Sequence, residues 1–181
     1  MPVKGSRLEA IEEAGTQEDL EKFLGIQNIL MESAGTWTVI RVVQGDYVYR
    51  KTVADDTTII GVDITEVTRP AVDRGFQINS IDYIFRNTVA DLDAHSLTLD
   101  RIEYTDSAVV SVNTIALTGS LGVGQDDDPQ IDTLTVATPL FNNATDTKYV
   151  LEVTVDAAAT SIYEFIGIIL KFTRNNLTGD C

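Results

Sequence analysis

Alternation with a period of two governs this chain from residue 36 onward. In Lys148-Tyr149-Val150-Leu151-Glu152-Val153-Thr154-Val155, the residues Tyr149, Leu151, Val153 and Val155 share one side of an extended backbone, because successive strand side chains point to opposite faces. Trp37-Thr38-Val39-Ile40-Arg41-Val42-Val43 and Tyr47-Val48-Tyr49-Arg50-Lys51-Thr52-Val53 repeat the theme, with turns at Gly45-Asp46 and Asp55-Asp56. Runs of β-branched and aromatic residues between such turns mark strands. About nine are predicted, near 37–43, 47–53, 57–64, 75–86, 95–104, 108–116, 131–136, 148–155 and 161–172. Within 95–104, Leu97, Leu99 and Ile102 fall out of register, which predicts a bulge.

Strands with one dry and one wet face suit two antiparallel sheets packed together. Most connections have hairpin length. Residues 117–129 are a longer one, with Gly119, Gly122, Gly124 and Asp126-Asp127-Asp128, as a crossover between sheets needs. Eight or nine strands in about 140 residues is the size of a jelly roll. The absence of βαβ alternation argues against a Rossmann fold or a TIM barrel. Residues 1–35 read differently. Ser6-x-x-Glu9 resembles a capping box ahead of Ile11. Thr16 offers a second N-cap before Leu20, Phe23, Leu24 and Gln27 at helical spacing, with Glu18, Asp19 and Glu21 in the first turn. The expectation is a helical segment over 1–35, either packed on the sheet or reaching out as an arm, and a β-sandwich over 36–181.

Hydrophobic residues make up 44% of the 181, enough for one sizeable core. The net charge of −15 disfavours nucleic acid, whose phosphates it repels. No apolar run reaches the roughly 20 residues that span a bilayer, so no membrane partner is expected. The opening residues lack the apolar stretch of a secretory signal, which predicts synthesis in a cytoplasm. Cys181, the single cysteine, has no internal disulfide partner.

Candidate chemistry is sparse. His95 is the only histidine. Asp91 and Asp93 are near enough in sequence to orient it, but no nucleophile or metal motif surrounds it, and a strand-start histidine is the expectation. Gly119-Ser120-Leu121-Gly122-Val123-Gly124 lacks the lysine of a phosphate loop, and three aspartates follow. Asp126-Asp127-Asp128 and Asp55-Asp56 are the best oxygen donors for a hard cation, although one loop cannot supply six ligands. The 28 acidic residues give no specific carboxylate pair for a glycan hydrolase. Trp37, Tyr47, Tyr49 and Tyr83 could stack on a sugar or pack in a core or interface. Asn143-Ala144-Thr145 and Asn176-Leu177-Thr178 match the glycosylation sequon. No catalytic, cofactor-binding or metal-ligating residue is assigned, and no cofactor is expected.

Gly75-Phe76-Gln77-Ile78-Asn79-Ser80-Ile81-Asp82-Tyr83, Leu92-Asp93-Ala94-His95-Ser96-Leu97-Thr98-Leu99-Asp100-Arg101 and the 148–155 strand resemble stretches of phage and metagenomic virion structural proteins. The resemblance spans 36–173. It implies a non-enzymatic jelly-roll protein of the virion, a homotrimeric cement or decoration protein held by the major capsid protein or other virion proteins, with residues 1–35 as a contact arm. It carries no functional residues. A tail-fibre or carbohydrate-binding sandwich module is the alternative.

Overall fold

The computed structural model describes residues 16–26, 29–31, 37–41, 47–52, 56–64, 76–104, 110–139, 147–157 and 160–176. Twelve strands run through them: β1 (Thr16–Leu24), β2 (Ile29–Met31), β3 (Trp37–Arg41), β4 (Tyr47–Thr52), β5 (Asp56–Asp63), β6 (Phe76–Thr88), β7 (Leu92–Tyr104), β8 (Val110–Ile115), β9 (Leu117–Thr118), β10 (Asp126–Val136), β11 (Thr147–Ala157) and β12 (Ile162–Asn176). Each of the nine predicted strands has its counterpart. No helix of the described residues is long and apolar enough to cross a membrane.

The strands form two antiparallel sheets. One has seven strands in the order β3-β4-β12-β6-β10-β9, with β1 also paired to β12. The other has five, ordered β2-β5-β11-β7-β8. The quartets β4-β12-β6-β10 and β5-β11-β7-β8 interleave along the chain, which is the double Greek key of a jelly roll.

The sandwich interior is built from alternate residues. Tyr149, Leu151, Val153 and Val155 of β11 are all buried, as their shared face predicted. They meet Leu97 and Leu99 of β7 and, from the opposite sheet, Ile81, Tyr83, Phe85, Phe165, Ile168 and Leu170 in one cluster. Fully burying one such side chain contributes about 1.5–3 kcal/mol. Phe76 and Tyr149 close one end across the sheets, ring to edge at 5.2 Å.

Three expectations are corrected. The second predicted helix is β1, paired residue for residue with β12 from Thr16↔Asn176 to Leu24↔Ile168. Leu20 and Leu24 face inward while Asp19, Glu21 and Phe23 face out, and the row of hydrogen bonds along β12 outweighs the helical spacing. The first predicted helix lies outside the described residues. The bulge near Leu97 is absent: β7 runs in unbroken register against β11 from Ala94 to Glu103, and Ile102 simply faces outward. The register shift is at Asp156/Ala157 instead. Finally, the chain changes sheets at Ala116, between β8 and β9. Residues 119–125 join neighbours of one sheet and fold over the end of the sandwich, where Leu121 is buried.

Candidate functional site

The outer face of the seven-stranded sheet carries an apolar belt between two groups of charged side chains. Register places Phe23 of β1 and Ile169 of β12 side by side, and Asp82 of β6 and Thr133 of β10 continue that row as its polar end. The next row holds Gly167, Ile84 and Ile131. Phe23 is 52% exposed and Ile131 60%. Strands lie about 4.8 Å apart, so the belt crosses about 14 Å of sheet.

Gly167 sets the height of the Phe23 ring. A Cβ there would stand 2.7 Å from Phe23 Cζ and 2.8 Å from the Leu24 carbonyl oxygen. The phenyl ring therefore rests against bare backbone at a bulge of β12 and stays half exposed.

On one side of the belt, Glu164 of β12 pairs with Arg50 of β4 and Arg86 of β6. On the other, Lys171 Nζ meets Asp82 Oδ2 at 2.7 Å, and Thr133 donates to Asp82 Oδ1 at 2.7 Å. The Asp82 hydrogen bond and charge, with Glu21 nearby, hold the Lys171 ammonium above its usual range. Beyond lies a chain of donors and acceptors: Gln77 to Asn79 at 2.8 Å, Asn79 to Thr173 at 2.7 Å, and Thr173 to Asp19 at 2.5 Å. Such cross-linked side chains keep their orientation without a ligand.

The candidate residues of the sequence lie elsewhere. His95 projects into the core, 8% exposed. A carbonyl can only accept, so His95 Nδ1–H donates to Gly122 O at 2.8 Å and Nε2 accepts from Tyr163 at 3.0 Å. Tyr83 then donates to Tyr163 at 2.5 Å. The Gly122 N–H in turn donates to Asp132 at 2.7 Å. Burial lowers the His95 pKa, opposed by the Gly122 bond and the Asp132 charge. Burial pushes both tyrosine hydroxyls upward. Asp91, a candidate partner of His95, instead accepts from the Gln125 backbone at 2.8 Å, and Asp93 is exposed. This relay pins the 119–125 loop to both sheets. It holds no accessible nucleophile.

Tyr83 is a core residue and Tyr49 packs against the core. The side chains of Trp37 and Tyr47 lie outside the described residues. Asp126, Asp127 and Asp128 are exposed at the start of β10, and among the described residues no group of three His, Cys, Asp or Glu is placed to hold a metal ion. Asp55 and the Asn143 sequon lie outside the described residues. Phe23, Glu164, Arg50 and Arg86 did not stand out in the sequence.

No known protein family matches this chain, and no curated protein does. Solved structures that resemble it include the CBM22-1–GH10 modules of Clostridium thermocellum endo-1,4-β-D-xylanase 10B complexed with xylohexaose (6% identity, TM-score 0.47), over 89% of this chain and 29% of that one. The CBM22-1 xylan-binding domain of Paenibacillus barcinonensis Xyn10C matches at 12% identity and TM-score 0.45, over 87% of this chain and 97% of that one. CsCBM6-3 of Clostridium stercorarium in complex with cellobiose matches at 8% and 0.41, over 86% and 92%. This chain thus spans less than a third of the xylanase chain it resembles. The jelly-roll assignment rests on the strand order above, and the virion resemblance has no counterpart in these three.

Proposed function

We propose that this chain is a carbohydrate-binding β-sandwich module that takes a glycan on the outer face of its seven-stranded sheet. The observation that carries the reading is Phe23, half exposed and seated on Gly167 between side chains already fixed by ion pairs. A pyranose offers an apolar C–H face bordered by hydroxyls. An aromatic platform flanked by oriented donors and acceptors is its complement. Fixed side chains lower the ordering cost of binding. A glycan array probed with the wild-type chain and Phe23→Ala tests this. Retention of at least one glycan class, weakened about tenfold or more by the substitution (~1.4 kcal/mol), is expected. An array blank for the wild type overturns it.

The exposure of both Phe23 and Ile131 favours a second reading, in which another copy of this chain covers the belt. The homotrimer expected for a capsid-decoration protein would use such a surface. Sedimentation equilibrium separates the two: a trimer dispersed by Ile131→Asp supports the second reading, and a monomer rejects it.

A further inference from the structure

At one end of the same face, two guanidiniums converge on one carboxylate. Arg50 donates to Glu164 Oε1 from Nε at 2.6 Å and also from Nη2. Arg86 donates to Oε2 from Nε at 2.7 Å, with Nη2 at 2.5 Å. The Glu164 side chain is 3% exposed, whereas those of Arg50 and Arg86 are 32% and 30% exposed. One arginine would neutralise the buried carboxylate. The second leaves the trio with a charge of +1, and the surplus lies toward solvent. The contacts to Glu164 use Nε and Nη2, so each planar fork keeps its Nη1 donors for a second acceptor.

The opposite end of the face has the other sign. There Asp19, Glu21 and Asp82 outnumber Lys171, three charges to one. A ligand bearing an anionic group is drawn to the arginine end and repelled from the other, which fixes its direction along β12. Glu164 pairs with Arg86, and Gly167, beneath Phe23, pairs with Ile84, so two steps of the ladder, about 7 Å, separate them. Two adjoining pyranose units bridge that length.

Resting on the carbohydrate-binding reading, we propose that this face selects an anionic glycan: Arg50 and Arg86 hold a carboxylate or sulfate group of one sugar while its neighbour stacks on Phe23. Forked guanidiniums match both anions. In a chain of net charge −15, such a local positive spot gives selectivity at short range only, so salt weakens it.

Affinity electrophoresis against four polymers tests the inference: polygalacturonate, its fully methyl-esterified form, dextran sulfate and dextran. At least one charged polymer is expected to bind about tenfold more tightly than its uncharged counterpart, and 0.5 M NaCl to remove most of that difference. The pair that separates identifies the anion as carboxylate or sulfate. Arg50→Gln is expected to lower affinity for the charged polymer about tenfold, and Arg50→Lys, which keeps charge without the fork, to recover part of it. Should Arg50→Gln fail to fold, the two charged-against-uncharged contrasts on the wild-type chain decide alone. Equal binding of charged and uncharged polymers overturns the anionic selection and leaves the carbohydrate reading standing. Retardation by none of the four, with an array that is also blank, overturns both.

Discussion

Gly167 has no side chain at the point where β12 passes beneath Phe23, and that vacancy decides where the ring lies. Gly167→Ala would drive a methyl into Phe23 and the Leu24 carbonyl. Overpacking against backbone costs about 1–3 kcal/mol. Urea unfolding should show that loss, together with weaker glycan retention because the ring is lifted. Val89 is the opposite case. Its φ of 79° is strained for a β-branched residue, and its side chain is exposed. Val89→Gly should stabilise the fold by about 1 kcal/mol, read from the same unfolding curves. His95 sets a pH dependence. Its folded-state pKa is lowered by burial, so the unfolded chain takes up the proton first, near about 6.5. Its contribution is fully present above that pH and is lost as pH falls from there toward the lower folded value, with no further loss below it. The urea midpoint should fall between pH 7.5 and pH 5 more steeply in the wild type than in His95→Gln. Equal slopes would contradict the buried relay.

The strands most legible in the sequence are those with long alternation and a fully apolar inner face, such as β11. Others needed pairing partners to be seen. Leu20, Phe23 and Leu24 fit a helical stripe, yet Leu20 and Leu24 also fit every second position of a strand; only the edge of β12 chooses between them. β2 and β9, at three and two residues, are too short to show any period. The charged groups were hidden for a related reason: Glu164 meets Arg50 and Arg86 across separations of 114 and 78 residues, and register alone makes them neighbours. β1 is therefore an integral strand whose loss exposes the edge of β12 and removes the aromatic platform at once. Leu24, 1% exposed in the core, anchors it. Leu24→Ala should cost about 2–5 kcal/mol in chemical denaturation. A loss below about 0.5 kcal/mol, the range of surface substitutions, would mean β1 is not docked as described.

At the scale of the whole molecule, a jelly roll offers two broad sheet faces and two loop-bearing ends. The loop end above His95 is tied down by hydrogen bonds. The outer face of the five-stranded sheet also has an exposed aromatic, Tyr104, but Lys148 already sits over that ring at 5.8 Å. The outer face of the seven-stranded sheet combines an exposed ring, a bare glycine beneath it and fixed charges of opposite sign at either end, and the proposed glycan would lie there. Affinity electrophoresis of the wild type, Phe23→Ala and Tyr104→Ala against one panel of soluble polysaccharides tests that placement most directly. The wild type and Tyr104→Ala should be retarded alike, and Phe23→Ala should bind about tenfold more weakly; retardation of Phe23→Ala equal to the wild type, or lost instead in Tyr104→Ala, would mean that the glycan does not lie on Phe23.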